Sequence, residues 1–308
     1  MALIEFFKRK GQSGFGYGST AEEVTRNLDL KGFTYLLTGC NSGLGLETLK
    51  TLCMRGANVL ACARTIDKAN YVCSRISTRA IPLSCDLSEP KSINKAIIQI
   101  KSMGLLLDGI IANAAIMALP KLQKKFGYEL QFFNNHVGHF ILITGLISNL
   151  KSSGRIVMLS SLSHKRSYKE GIQFDNLSWD KGYSPWLAYG QSKLCNILFA
   201  NHLASQILSK NQTSNSLHPG MIPTNLNRHL HPIRVAAFHC AKPLILKTIP
   251  QGASTQCYVV TNPELSNVTG SYFVDCNIAK PSKYAQDSSL ALKLWEHTKE
   301  IIRYLNKV

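Results

Sequence analysis

From residue 33 onward, short apolar runs alternate with segments of helical periodicity, and no other feature of the chain restricts its fold so tightly. The runs are FTYLL (33–37), ANVLAC (57–62), RAIPLS (79–84), DGIIAN (108–113), RIVMLS (155–160) and TSNSLH (213–218). Helical patterns start at Leu44, Asp67 and Ser88, run through 126–150, and extend from Pro185 to Lys210. Continuous apolar strands of this length are buried on both faces, and a helix between successive strands makes them parallel through right-handed crossovers. The pattern predicts an α/β fold: a doubly wound, Rossmann-type parallel sheet with helices on both faces, in a single domain over residues 28–308. The 308 residues, 45% of them hydrophobic, are enough for such a core. Residues 1–27 are expected to be an extension. GQSGFGYG (11–18) reads as a flexible linker, and Thr20 with Glu23 offers a capping box for one short helix.

Thirty-five Lys and Arg stand against 18 Asp and Glu, a net charge of +17, yet only 17% of residues are charged. The excess comes from scarce acids, not from basic runs. Without a basic stripe or a recognition motif, nucleic acid is not an expected partner. Nine cysteines, at 40, 53, 62, 73, 85, 195, 240, 257 and 276, make an odd number with no C-x-x-C pair, which fits a reducing compartment. MALIEFFKRK places its charges after a short apolar stretch, the wrong order for a signal peptide, and a cytoplasmic location is expected. The uncharged run Phe132 to Leu150 contains Asn134, Asn135, His136, His139 and Asn149, so it reads as a buried helix and not a membrane span.

The first strand runs into Thr38-Gly39-Cys40-Asn41-Ser42-Gly43-Leu44-Gly45 and then a helix. Glycines here allow a tight turn, close approach of backbone to a pyrophosphate and close helix packing, while the helix N-terminus offers free N–H groups to the anion. An acid at the end of the second strand would select NAD by binding the ribose 2′-hydroxyl. Here the strand ends Ala61-Cys62-Ala63-Arg64, and Arg64 suits a 2′-phosphate, so NADP(H) is favoured over NAD(H). Asp86 and Leu87 follow the third strand, placed to meet an adenine, and Asn113-Ala114-Ala115 follows the fourth. In Tyr189-Gly190-Gln191-Ser192-Lys193 the Tyr and Lys share a helix face, and an ammonium there lowers the phenol pKa toward the range of a general acid/base. Ser160 and Ser161 end a strand on the edge where open parallel sheets bind ligands, and one of the two hydroxyls can hold a substrate carbonyl.

TGCNSGLG, the strand-ending serine pair and YGQSK, in this order, resemble the short-chain dehydrogenase/reductase superfamily over about residues 29–296. NNHVGHF (134–140), RIVMLSSLSH (155–164), AYGQSKLCNILF (188–199), HPGMIPTNL (218–226), QGAST (251–255) and SYFVDC (271–276) resemble its retinol dehydrogenase branch and the dehydrogenase domain of WW-domain-containing oxidoreductases, without the WW domains. The resemblance implies Tyr189 as proton donor and acceptor, Lys193 on the nicotinamide ribose, Ser161 orienting the carbonyl, and Asn135 holding a water in a proton relay. It also implies that Pro219, Gly220 and Thr224 close on the nicotinamide end, and that residues 228–250 cover the substrate. The chain departs from the family's pattern at Ala112-Asn113-Ala114-Ala115, where many members have N-N-A-G. The implied activity is hydride transfer between NADP(H) and a carbonyl or alcohol of a hydrophobic small molecule. The alternative is an NADP-binding regulatory or scaffold protein with little turnover.

Several residues have two readings. His136-x-x-His139 offers half a metal site without a third ligand, so no metal is expected. His164 and His218 read as structural, and Cys40 as a packing residue or a reactive thiol beside a helix N-terminus. Tyr168, Phe174, Trp179, Tyr183 and Trp186 suit either a bulky apolar substrate or the core of their own loop. Leu194 to Ser209 is uncharged and apolar on more than one side, which predicts a second partner for that helix, and the family resemblance implies that this partner is the same helix of another subunit, a homodimer. LIEFF and the 228–250 segment allow at most peripheral membrane contact.

Overall fold

A computed structural model describes residues 10–166, 168, 170–209, 211–222 and 246–307. The central sheet contains β1 (Thr34–Thr38), β2 (Asn58–Ala63), β3 (Ala80–Ser84), β4 (Leu107–Ala112), β7 (Leu150–Leu159), β8 (Thr213–His218), β9 (Tyr272–Val274) and β10 (Asn277–Ala279). Their spatial order is β10-β9-β8-β7-β4-β1-β2-β3, parallel throughout except that β10 pairs antiparallel with β9. Pro82 sits in β3, at the sheet edge, where a missing N–H breaks no ladder.

Alternate residues of each strand feed two cores. Leu36, Leu60, Ile110 and Ile156 face one layer, with α4 (Pro90–Ser102), α6 (Gly138–Leu146), α7 (Pro185–His202) and α9 (Ser288–Leu305). Leu37, Val59, Ile111 and Val157 face the other, with α1 (Ala21–Val24), α2 (Gly43–Met54), α3 (Ile66–Ile76) and α8 (Ile249–Thr261). This is the doubly wound α/β architecture that the apolar runs predict, and the period-two alternation of strands produces its two layers.

Three details differ from the sequence expectations. The helix expected through 126–150 begins only at α5 (Leu130–Phe132), because Phe126 and Gly127 have left-handed backbone and close a small hairpin, β5 (Lys124–Lys125) with β6 (Tyr128–Glu129). It then passes through a π-helical turn, Phe133–Val137, before α6.

Residues 11–18 are not a loose linker. Phe15 packs edge-on against Tyr258, Tyr17 is buried, the Ser13 N–H donates to Asn277 Oδ1, and Asn277 Nδ2 donates to the Phe15 carbonyl. Two aromatic anchors outweigh the four glycines around them. The capping box of α1 forms as expected, with Thr20 and Glu23 each accepting the other's backbone N–H.

The apolar outer side of α7, from which a dimer is expected, is occupied within the chain. Trp295 of α9 packs on Phe140, Phe199 and His202, with ring centroids 4.6, 6.0 and 4.6 Å away. Thr298 of α9 is hydrogen-bonded to His136 at 3.0 Å. Within the chain, α9 is therefore a second partner of α7 on the face from which the dimer is expected.

Candidate active site

From β1 the chain proceeds outward to β2 and β3 and then returns to β4 on the other side of β1. Such a reversal leaves a crevice beyond the carboxyl ends of the two strands. A cleft of about 280 Å³ opens there. Gly39, Asn41, Ser42, Gly43, Leu44, Gly45, Arg64, Asp86, Leu87, Asn113, Ala114, Tyr189, Lys193 and Pro219 all line it, so the fold gathers residues spread over 180 positions onto one surface.

The glycine turn is built for close approach. A Cβ on Gly45 would stand 2.0 Å from the Gly39 carbonyl oxygen, and Gly39 itself has φ +70° against the Ala114 backbone. Ser42 leads into α2 without a side-chain cap, so the first-turn amides keep their hydrogen-bonding capacity for an anion. Asn113 serves this turn structurally, donating from Nδ2 to the Thr38 and Gly39 carbonyls. Thr38 Oγ1 accepts from the Asn113 and Ala114 N–H groups, each at 3.0 Å. The Cys40 thiol is buried and pushed up to about 12 by that burial, which makes it a packing residue and not a nucleophile.

At the outer end Arg64 is largely exposed, 3.9 Å from the Asp86 carboxylate. Asp86 is fixed in turn by the N–H and hydroxyl of Ser88, which donate to its Oδ1. Lys68, which the sequence reading passed over, lines the same end. Its position four residues beyond Arg64, in the first turn of α3, was the available signal.

At the inner end the two serines separate in role. Ser160 Oγ donates to the Lys193 carbonyl at 2.8 Å and ties β7 to α7. The Ser161 hydroxyl acts on the Tyr189 phenol, drawing its pKa down. Lys193 Nζ donates to the Leu159 carbonyl at 3.0 Å and lies 5.7 Å from the centre of the Tyr189 ring. Burial drives both ionisations toward the neutral form: Tyr189 rises to about 12, held back by the Ser161 bond, and Lys193 falls to about 7. The lowered phenol pKa expected from the Tyr–Lys spacing is not a property of the protein alone, because desolvation by burial is the largest influence on Tyr189 and raises it.

Asn135 is also not free to hold a water with its side chain. Its Oδ1 accepts from the N–H of Ile116 and from Asn134 Nδ2, and its Nδ2 donates to the Ile116 carbonyl and to Ser192 Oγ. The amide is a strut between the π-helical turn, the loop after β4 and α7, and it is Asn134 that reaches the cleft wall. His136 and His139, the half metal site, are engaged separately: His136 with Thr298, and His139 with the Asn135 carbonyl and the Thr38 hydroxyl.

Gly220 has φ +98°, and a Cβ there would meet the Lys247 side chain at 2.6 Å. Thr224 and residues 228–245 of the expected covering segment lie outside the described residues. Of the loop aromatics, Trp179 is buried between Tyr168 and Tyr183 and forms the loop's own core. Trp186 alone stands edge-on to Tyr189, with centroids 6.3 Å apart.

The family model described as short chain dehydrogenase matches residues 34–174. The chain is 42% identical to a protein of Brassica napus named short-chain dehydrogenase TIC 32 A, chloroplastic, over 96% of this chain and 97% of that one. It is 35% identical to human retinol dehydrogenase 14 over 90% and 88% of the two chains. A crystal structure of a protein from Mycobacterium paratuberculosis superposes with a TM-score of 0.74 at 26% identity, covering 93% of this chain and 98% of that one. With the glycine turn, Ser160 and the Tyr–Lys helix gathered on one cleft, these likenesses over nearly the whole length have one meaning: the chain belongs to the short-chain dehydrogenase/reductase family of oxidoreductases.

Proposed function

We propose that the protein interconverts a carbonyl and an alcohol on a hydrophobic small molecule, using NADP(H). The carrying observation is that Tyr189, with the Lys193 ammonium nitrogen 5.7 Å from its ring centre, lines the same cleft as the glycine turn and Arg64. The residues fit a dinucleotide: an uncapped helix N-terminus for the pyrophosphate, and Arg64 with Lys68 for a 2′-phosphate. When bound, the nicotinamide supplies or takes the hydride.

The chain's own part is proton chemistry and positioning. In the reductive direction Tyr189 gives its hydroxyl proton to the oxygen of the carbonyl as that oxygen gains charge, and the Ser161 hydroxyl holds the same oxygen in place. In the oxidative direction the proton returns to Tyr189. Lys193 binds the ribose and, once charged there, stabilises the phenolate. Asn135 acts by holding the π-helical turn against α7. Trp186 beside Tyr189 suits an apolar substrate body, and the names of the retinol dehydrogenase relatives point the same way.

The competing reading is a protein that binds NADP without turning over. An NADPH-oxidation screen over apolar aldehydes and ketones separates the two. No helix among the described residues is long and apolar enough to cross a membrane. The eight described cysteines are free and buried, which suits a reducing interior. The sequence reading places that interior in the cytoplasm, and the chloroplastic name of a relative adds a plastid interior, which fractionation decides.

A further inference from the structure

Ser161 lies beyond the last sheet hydrogen bond of its segment, the Ser160 N–H to the Leu217 carbonyl at 2.7 Å. Past that point the sheet no longer fixes the backbone, yet the Ser161 hydroxyl has to be held toward Tyr189, whose pKa it draws down. The turn that follows, Leu162–Lys165, lies directly on α7. A Cβ on Gly190, next to Tyr189, would meet the Ser163 and Arg166 carbonyl oxygens at 2.6 Å. Ser161 caps this turn, its Oγ accepting the Ser163 N–H at 3.2 Å.

One side chain holds the turn from behind. His164 is buried, with Nδ1 2.6 Å from the Ser161 carbonyl oxygen and Nε2 3.0 Å from the Ser282 nitrogen. A carbonyl only accepts and a backbone N–H only donates, so the partners fix the ring: neutral, with the proton on Nδ1. The ring packs edge-on against Tyr272 of β9, at 5.2 Å. His218 at the end of β8 adds a second tie, its Nδ1 accepting the Leu162 N–H at 3.3 Å.

We propose that His164 is the positioning residue for Ser161, clamping its main chain to the 282 loop so that the hydroxyl meets Tyr189 and a substrate oxygen. This rests on the oxidoreductase reading above. A histidine that merely fills space behaves differently from a clamp, because the clamp needs a donor at the Nδ1 position. Asn carries an amide donor at nearly the reach of Nδ1, whereas Phe keeps the ring and the Tyr272 contact without either bond.

The test compares wild type, His164→Asn and His164→Phe for kcat with an apolar aldehyde, KM, and NADPH affinity by fluorescence. His164→Phe is expected to lower kcat by about 10- to 100-fold, the cost of displacing a catalytic group by about 1 Å, with NADPH affinity unchanged. His164→Asn is expected to return kcat to within about fivefold of wild type, the worth of the single bond to Ser282 that it still lacks. Equal losses in both variants, or full kcat in His164→Phe, would overturn the proposal. A ¹⁵N-histidine spectrum, with the His164 signal assigned by its absence in His164→Phe, judges the clamp without turnover. A neutral Nδ1–H ring supports it, and an Nε2–H ring or an imidazolium at neutral pH refutes it. Should wild type turn over no carbonyl at all, the oxidoreductase reading falls while the spectrum still decides the clamp.

Discussion

Lys193 lies one helical turn from Tyr189, its Nζ 5.7 Å from the ring centre, and burial moves the two ionisations apart, the amine down to about 7 and the phenol up to about 12. In the protein alone burial disfavours the charged form of both groups. On the function proposed above, an anionic cofactor beside Lys193 would favour its ammonium, and the ammonium would in turn favour phenolate.

A stability prediction follows from the lysine. Its pKa is lower folded than unfolded, so between about pH 7 and the ordinary lysine value near 10.5 the unfolded chain binds more protons and stability rises with pH. Below pH 7 the full cost of a buried charge is present. The advantage of Lys193→Met over wild type in thermal unfolding, measured without cofactor, is therefore expected to be greatest at pH 6.5 and to shrink by pH 9. An advantage independent of pH would mean that Lys193 is not neutralised on folding.

At the other end of the cleft, Arg64 and Lys68 predict NADP over NAD by about 1.5–3 kcal/mol, the worth of charge-assisted hydrogen bonds to a phosphate. Arg64→Asp is expected to reverse the preference, because a carboxylate repels the 2′-phosphate and accepts from a 2′-hydroxyl. Lys68→Ala should reduce it without reversal. Calorimetry with both cofactors checks this, and equal wild-type affinities would remove NADP from the account.

The C-terminal helix carries a third prediction. Leu294 is 1% exposed between α9 and the core. Leu294→Ala is expected to cost about 2–5 kcal/mol in denaturant unfolding, within the range for a buried leucine. With α7 covered by α9, light scattering of the intact chain should return the monomer mass at micromolar concentration. A dimer that persists in Leu294→Ala would place a subunit contact elsewhere.

Much of this site is legible from sequence because its chemistry is local. Gly39, Gly43 and Gly45 stand where a strand turns into a helix, and Tyr189 and Lys193 share a helix face by their spacing of four. What the sequence does not show depends on which partner reaches a group first. Ser160 and Ser161 are equal as letters, and only the Lys193 carbonyl and the Tyr189 hydroxyl distinguish them. The sequence does not show that the Asn135 side-chain amide is taken up by Ile116 and Ser192. The flexible composition of 11–18 conceals two aromatic anchors, and the second partner of α7 comes from a helix about 90 residues further along the chain.

The central claim is that Tyr189 moves the proton in a carbonyl–alcohol interconversion, and the most direct measurement is NADPH oxidation by wild type and Tyr189→Phe on an apolar carbonyl that the wild type reduces. The account predicts a fall in kcat of about 100- to 10,000-fold in the variant, the range of general acid catalysis, with NADPH affinity nearly intact because only a hydroxyl is removed. Comparable kcat in Tyr189→Phe, or a wild type that binds NADPH and oxidises none of it across the panel, would contradict it.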